Sequence, residues 1–273
     1  MLKIIKGKIN QAMRLLYVNS LTRWNDSIII VEYPKSGGTW LGQLISTYFN
    51  IPFPRNKIPG LKRSVYHSHY LPNSKLLKNK KILYLVRDGR DVLISLYYHQ
   101  LIWNDKNRLS PKDVIYHRNK LKFENYDNVS ENLKEFMDYS YNDRPSKLQQ
   151  FTYMGNWYEF NDRWLKEYNK EQSNIYFVKY ENLLKDTYAT MQAIIEQFFE
   201  GKVDSKRLRD TIKKFSFENQ SKRQKGVENK NSFLRKGIAG DWQNHFNTNA
   251  KTRFKVLTNK MLVRLNYEEQ DNW

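Results

Sequence analysis

No cysteine occurs among the 273 residues of the chain. Its absence excludes disulfide bonds, a thiol nucleophile and thiolate ligands for a metal, and it agrees with a reducing compartment. No uninterrupted run approaches the roughly 20 apolar residues that a membrane-spanning helix needs. The N-terminus also lacks the continuous apolar core of a secretory signal. The sequence therefore predicts a cytoplasmic protein.

Acidic residues are few relative to basic ones. The chain contains 28 Asp and Glu but 47 Lys and Arg, which gives a formal charge of +19 at pH 7. Apolar residues make up 40% of the chain and aromatic residues 15%, which excludes a disordered basic tail. The length predicts a single folded domain with a large core. The charge favours anionic partners such as a nucleotide, an acidic glycan, a lipid headgroup or nucleic acid.

Residues 1–23 predict a basic amphipathic helix, in which apolar residues such as Ile4 and Ile5 lie among basic residues such as Lys6. Packing on the domain, with the basic side in water, is one interpretation of this segment. Weak peripheral contact with the cytoplasmic face of an anionic membrane is the alternative. Residues 24–273 then form the folded domain.

Short apolar runs alternate with segments of helical periodicity. The predicted strands are residues 28–31, 64–67, 81–86 and 174–178. This alternation predicts an α/β fold with a mostly parallel central sheet of about four or five strands, flanked by helices. The polar stretch at about 104–146 predicts either a lid or an inserted helical pair on the acceptor side of a binding site.

The loop after the first predicted strand carries the strongest chemical signal. Its residues are Lys35, Ser36, Gly37, Gly38, Thr39 and Trp40. The two glycines allow backbone N–H groups to close around an anion, and the helix that follows directs its positive end to the same place. The loop is therefore P-loop-like, although Lys35 precedes the glycines, unlike the lysine of nucleotide triphosphatases.

Two further segments place cations in turns. Arg87 follows the third predicted strand, with Ser95 in the helix beyond it, and the later turn contains Arg235, Lys236 and Gly237. An arginine fork suits phosphate, so the three segments together predict one ligand with several phosphates. The alternative for the second segment is an internal Arg87–Asp91 pair with Ser95 as an ordinary helix residue.

His67 and His69 lie two residues apart, so in an extended segment their side chains face the same way. The chain has only five histidines and no cysteine, and no cluster of acidic residues lies nearby in sequence. We therefore predict no metal site. A general base suits a neutral imidazole better, and a purely structural histidine is the alternative for either residue.

Taken in order, these motifs resemble the cytosolic-type sulfotransferases, which use 3′-phosphoadenosine 5′-phosphosulfate (PAPS). The resemblance rests on residues 35–40, 69–72, 87–95, 180–181 and 235–242, and it is colinear over 28–246. It implies an enzyme that transfers a sulfonyl group from PAPS to an acceptor hydroxyl and releases 3′-phosphoadenosine 5′-phosphate (PAP). It implies no metal.

The resemblance also assigns roles to residues. His69 removes the proton of the acceptor hydroxyl, while Lys35 stabilises charge on the leaving phosphate oxygen. His67 lies on the acceptor side. For the donor, the resemblance implies the 5′-phosphosulfate on Lys35, Ser36, Gly37, Gly38 and Thr39, the 3′-phosphate on Arg87, Ser95, Arg235, Lys236 and Gly237, and the adenine on Trp40, Tyr180 and Phe217.

Three positions depart from the animal members of that family. His67 stands where they usually carry a lysine, and Phe215 stands where they carry a threonine near the adenine. Residues 243–248 lack the pattern of their small dimer interface, so the oligomeric state stays open.

Two other classes of function stay open from the residues alone. A P-loop nucleotide kinase shares the sheet and the loop, but it requires a different position for the lysine. A non-catalytic basic module that binds nucleic acid or an anionic glycan agrees with the charge. We predict the transferase, with no specific nucleic-acid partner and with a glycan, a lipid or a small alcohol or phenol as acceptor.

Overall fold

A computed structural model describes residues 26–55, 62–72, 80–102, 111–142, 154–171 and 174–273. The amphipathic helix predicted for residues 1–23 lies outside these ranges. None of the helices in the described ranges is both long enough and apolar enough to span a bilayer.

The central sheet has four parallel strands among the described residues. They are β1 (Ile28–Glu32), β2 (Val65–Ser68), β3 (Lys81–Val86) and β4 (Ile175–Lys179), in the spatial order β2-β1-β3-β4. Every residue of β1 is buried, as expected for a strand covered on both faces. The α/β fold class and the parallel sheet are therefore confirmed. The second and fourth strands each lie one residue later than predicted.

Among the described residues, helices follow β1, β3 and β4. In chain order they are α1 (Gly38–Phe49), α2 (Gly89–Leu101), α3 (Pro111–Lys120), α4 (Val129–Asn142), α5 (Trp157–Tyr168), α6 (Tyr180–Lys185), α7 (Thr187–Ala193), a π-helix (Ile194–Phe198), α8 (Ser205–Lys214), α9 (Phe217–Ser221), a 3₁₀-helix (Asp241–Asn244), α10 (Thr248–Thr258) and α11 (Met261–Arg264). The described part of the polar stretch after residue 103 contains α3 and α4, which agrees with an inserted helical pair.

The chain divides into two compact units. The first unit consists of the described residues up to Val86 together with Arg163–Phe215, and the second of those in Arg87–Asp162 together with Ser216–Trp273. In the first unit, α1 and the helices after β4 bury the sheet, with Leu41 and Leu83 among the residues of its core. The core of the second unit is aromatic, and it contains the pairs Tyr97–Phe136 and Trp157–Phe254.

Candidate active site

The carboxyl ends of β1, β2 and β4 meet at one edge of the sheet in the first unit. Val31 pairs with Ser68, so the residues that follow these two, Glu32 and His69, are neighbours. β4 leads at the same edge into Tyr180. Open parallel sheets bind ligands at this edge, because the connecting loops gather there. Three of the segments predicted from the sequence therefore come together in one unit.

The first loop adopts a conformation that depends on its glycines. Gly37 caps α1 with a φ of 103°, in the left-handed region that glycine enters readily. Lys35 also has a positive φ, of 76°, which is uncommon for a residue with a side chain. The Ser36 hydroxyl is buried and has no hydrogen-bond partner among the described residues.

The aromatic residues predicted for the adenine flank this loop. The Trp40 and Tyr180 rings meet edge to face with centroids 6.1 Å apart, and the Trp40 indole N–H donates to the carbonyl oxygen of Phe215 at 3.0 Å. A Cβ at Gly37 would lie 2.6 Å from Cδ2 of Tyr180. Gly37 is therefore needed both for its φ and for the close approach of this ring.

We expect Gly37→Ala to lower the melting temperature and to weaken PAP binding at least tenfold, because the methyl group forces Tyr180 away. A left-handed conformation alone costs an alanine about 1–2 kcal/mol. Gly226→Ala is the matched control, since Gly226 has a φ of 90° with nothing within 4 Å of its Cβ position. Thermal melting and a PAP titration of both variants measure the difference. Equal effects of the two substitutions would show that the Tyr180 contact is unimportant.

Glu32 lies at the centre of the site. Its carboxylate Oε1 accepts a hydrogen bond from Nε2 of His67 at 2.5 Å, and its Oε2 accepts from the backbone N–H of Gly38. Its backbone oxygen accepts from Nδ1 of His69 at 2.9 Å. One residue thus contacts both predicted histidines and the phosphate loop.

These contacts indicate which ring nitrogen of each imidazole carries a hydrogen. A carbonyl oxygen only accepts, so Nδ1 of His69 carries a proton and the lone pair of the neutral ring is on Nε2. His67 likewise directs Nε2–H to the Glu32 carboxylate. The two rings meet edge to face with centroids 4.4 Å apart. In His69 it is therefore Nδ1 that donates to a carbonyl oxygen, whereas in His67 it is Nε2 that faces the carboxylate.

The Glu32 carboxylate is ionised at neutral pH. Burial raises the pKa of Glu32, but the electrostatic effect of the neighbouring His67 ring, the hydrogen bond which that ring donates, the nearby His69 ring and the Gly38 amide outweigh the effect of burial. The pKa of Glu32 therefore lies below its ordinary value. A buried carboxylate held in this way supplies a negative charge beside both imidazoles.

The prediction of no metal site rested on the few histidines, the lack of cysteine and the lack of an acidic cluster nearby in sequence, and the fold brings one carboxylate, that of Glu32, to the two histidines. Ligand atoms of Glu32, His67 and His69 lie within 4.8 Å of one another. The internal hydrogen bonds nevertheless account for this arrangement, because the Glu32 carboxylate already accepts from His67 Nε2 at 2.5 Å and from the Gly38 amide. We interpret the three residues as a hydrogen-bonded group.

The second unit contains the cations predicted for the 3′-phosphate. Arg87 Nη2 lies 3.8 Å from Asp91 Oδ2, so the internal pair considered in the sequence analysis is present. Asp91 also accepts from the backbone N–H groups of Gly240 and Trp242, at 2.7 and 3.0 Å. Burial and the neighbouring charge of Asp88 raise the pKa of Asp91 despite Arg87 and the two amides. Through these hydrogen bonds, Asp91 connects the start of α2 to the segment that contains Gly240 and Trp242.

Asp241 orders the cations of that turn. Its two oxygens lie 2.5 Å from Arg235 Nη2 and 2.5 Å from Lys236 Nζ. Burial raises the pKa of Asp241, but hydrogen bonds from His245, Lys236, Arg235 and Asn244 outweigh this effect, so its pKa lies well below the ordinary value. The two cations are therefore held in place by an ionised carboxylate.

Of the remaining predicted residues of the second unit, Ser95 lies on α2, Gly237 follows Lys236 in the turn, and Phe217 begins α9. The Arg235 guanidinium lies 4.5 Å from the centroid of the Tyr98 ring, and Tyr98 is one helical turn after Ser95 on α2. A Cβ at Gly237, whose φ is 70°, would lie 2.4 Å from Cδ2 of Phe217. The structure thus gathers Arg87, Ser95, Arg235, Lys236, Gly237 and Phe217 within the second unit.

Sequence reasoning missed the carboxylates that organise the site. Glu32 was available as a signal, because it is a charged residue that ends a run of buried apolar residues and precedes the phosphate loop. Asp91 entered the sequence analysis only as a partner of Arg87, and its bonds to the Gly240 and Trp242 amides could not be predicted because these groups are 149 and 151 positions away. The role of Asp241 was missed although Arg235 and Lys236 are close to it in sequence.

The comparisons with known proteins define the class. Residues 55–265 match the family model described as the sulfotransferase domain, so the chain belongs to the sulfotransferase family. This match selects the transferase among the three classes that the residues left open.

Particular relatives are similar over most of their length. Sulfotransferase 1B1 of Canis lupus familiaris is 27% identical over 276 residues, covering 86% of this chain and 83% of the relative. Sulfotransferase 1E1 of Rattus norvegicus is 28% identical over 270 residues, covering 84% and 81%.

Two solved structures share the fold. Mouse sulfotransferase SULT7A1 complexed with PAP has a TM-score of 0.63 at 20% identity, covering 94% of this chain and 91% of that one. Retinol dehydratase in complex with androsterone and PAP has a TM-score of 0.59 at 17% identity, covering 92% and 84%.

Proposed function

We propose that the chain is a PAPS-dependent sulfotransferase in which His69 is the general base and the loop 35–40 holds the phosphosulfate. The observation that carries this proposal is the register of β1 and β2, which places His69 against Glu32, the last strand residue before the loop. A base beside a phosphate loop suits transfer from a nucleotide donor to an acceptor hydroxyl. The family match supports the same reaction.

The buried hydroxyl of Ser36 supports the assignment of the loop to a phosphosulfate group. The buried Ser36 hydroxyl has no hydrogen-bond partner among the described residues, although buried polar atoms nearly always have one. An oxygen of the donor would satisfy it. We assign Lys35, Gly37, Gly38 and Thr39 to the same group.

PAPS, when bound, supplies an activated sulfonyl group and a phosphate as leaving group. We assign removal of the acceptor's proton to Nε2 of His69, and the hydrogen bond from its Nδ1–H to the Glu32 carbonyl oxygen supports this assignment. The Lys35 ammonium stabilises negative charge on the phosphate as the donor leaves. His67 stays on the acceptor side, where Glu32 holds its ring.

We assign the 3′-phosphate to the cations of the second unit, Arg87, Arg235 and Lys236, with Ser95 and Gly237. Asp241 orders two of these cations before the nucleotide arrives, which lowers the entropic cost of binding. We assign the adenine to Trp40, Tyr180 and Phe217, which all lie against a glycine or another aromatic ring of their own unit.

PAP should raise the melting temperature more than adenosine 5′-phosphate, because only PAP carries the 3′-phosphate. A hundredfold difference in affinity corresponds to about 2.7 kcal/mol, or roughly 5 °C for a chain of this size. Differential scanning fluorimetry with each nucleotide measures it. Equal shifts would contradict the 3′-phosphate assignment.

Arg87→Ala should abolish the difference between the two nucleotides. Because Arg87 is also a partner of the buried Asp91, we expect the unliganded variant to melt lower than the wild type. The comparison is therefore made between nucleotides within each variant. A variant that still distinguishes PAP from adenosine 5′-phosphate would remove Arg87 from the site.

We propose as acceptor the hydroxyl of a glycan, a lipid or a small alcohol or phenol. One structural neighbour holds androsterone, an alcohol, beside PAP. The charge of +19 exceeds what one nucleotide requires and favours an acidic acceptor. Mass spectrometry of a panel of one glycan, one lipid, one alcohol and one phenol with PAPS would reveal the acceptor as a gain of one sulfonyl group.

The cytoplasmic location and the weak membrane contact of residues 1–23 stay predictions.

A further inference from the structure

Glu32 is an ionisable residue at the centre of the site for which the reaction described above has no use. It is only 3% exposed, yet its carboxylate accepts hydrogen bonds from His67 and from the Gly38 amide. The carboxylate does not bond to His69, whose Nδ1–H donates to the Glu32 backbone oxygen, but ligand atoms of Glu32 and His69 lie within 4.8 Å of each other. Burying a charge is costly unless the charge is paired and hydrogen-bonded. We therefore expect a buried carboxylate between a base and a phosphate loop to have a functional role.

We propose that Glu32 is a positioning residue whose carboxylate is the counter-charge for the imidazolium that forms on His69 during sulfonyl transfer. This inference rests on the proposed function. In that step the acceptor oxygen forms a bond to sulfur and its proton moves to Nε2 of His69. The bond between sulfur and the 5′-phosphate oxygen breaks, and its electron pair stays on that phosphate.

The carboxylate is fixed before the reaction begins. His67 binds one of its oxygens and the Gly38 amide binds the other. A Cβ at Gly38 would lie 2.5 Å from the Glu32 carboxyl carbon, so glycine at this position makes room for the group. A charge held in this way in a water-poor site stabilises developing charge without reorganising.

The negative charge of the Glu32 carboxylate also lowers the affinity for the anionic donor. Glu32 brings a negative charge to the loop that would hold the phosphosulfate, and it already uses the N–H of Gly38. Like charges repel, so the carboxylate lowers donor affinity while it favours protonation of His69. A counter-charge role therefore predicts that catalysis and binding respond differently to its removal.

The test is Glu32→Gln in the full chain, with PAP titration for binding and transfer from PAPS to the acceptor panel for turnover. We expect kcat to fall 10- to 100-fold while the dissociation constant for PAP stays within twofold or becomes smaller. Glu32→Asp, which keeps the charge, should recover most of the loss. A folded Gln variant with unchanged kcat, or with kcat and PAP affinity reduced equally, would overturn the proposal.

A double variant examines whether Glu32 acts through His69. We expect Glu32→Gln to cause no further loss of kcat in a His69→Asn background, because no imidazolium forms there. Full additivity of the two losses would overturn the proposal. If Glu32→Gln does not fold, Glu32→Ala, which also removes the charge, is subjected to the same comparison.

Failure of this inference is distinct from failure of the proposed function. A wild-type chain that binds no PAP and modifies no member of the panel contradicts the sulfotransferase assignment itself. A wild-type chain that transfers normally, beside a Gln variant that does the same, contradicts only the role of Glu32.

Discussion

His69→Asn should lower turnover by roughly 10²- to 10⁴-fold, the loss typical of a positioned acid–base group, while the dissociation constant for PAP changes by no more than a few-fold. The asparagine amide can still donate to the Glu32 carbonyl oxygen, as Nδ1 of His69 does at 2.9 Å, so the strand ends should keep their arrangement. What the variant lacks is the basic Nε2. Steady-state kinetics and a PAP titration on the same preparation separate the two effects.

Two further histidine variants test whether the loss of turnover is specific to His69. His117→Asn is the matched control, since His117 belongs to the second unit and its ring contacts the Tyr139 hydroxyl at 2.9 Å. His67→Asn tests the other imidazole, whose Nε2–H is committed to the Glu32 carboxylate. An inactive His67 variant beside an active His69 variant would reverse the assignment. Activity in both would place the base elsewhere.

Lys35→Ala should weaken PAP binding about tenfold and lower kcat by a further 10²-fold or more. The ammonium attracts the donor in the ground state and gains importance as charge builds on the leaving phosphate. It should therefore affect both quantities, unlike His69. The same pair of measurements, titration and steady-state kinetics, applies.

The backbone at Lys35 provides an internal control for that experiment. Its φ of 76° suits glycine better than alanine, so Lys35→Gly should melt higher than Lys35→Ala by the equivalent of about 1 kcal/mol. Both variants lack the ammonium, and we expect equal losses of turnover. If the glycine variant regains activity together with stability, the backbone conformation and not the charge explains the loss.

The sheet and the phosphate loop could be predicted from the sequence because their signals are local. Each strand is a short apolar run, and the loop combines Gly37 and Gly38 with a following helix. Periodicity does not specify where π-type hydrogen bonding begins, and in this chain α7 is continued by a π-helix from Ile194.

The candidate site was predictable only in part. The types of residue that hold phosphate and remove protons stand out along the chain, and His69 and Arg87 are examples. The groups that orient them do not, because Glu32 reaches His67 through the pairing of two strands and Asp91 reaches the Gly240 amide from 149 positions away in sequence. Such partners are set by tertiary structure, which no local pattern encodes.

The close approach of Glu32 to Gly38 also constrains how this site can change during evolution. Any side chain at position 38 would overlap the carboxyl group at position 32, since the Cβ would lie 2.5 Å from its carbon. A larger residue at position 38 requires that Glu32 is first replaced by a shorter residue or displaced. Once Glu32 has been replaced, a larger residue at position 38 no longer overlaps it. We therefore expect the two positions to covary, with glycine at 38 accompanying glutamate at 32 in descendants of a common ancestor.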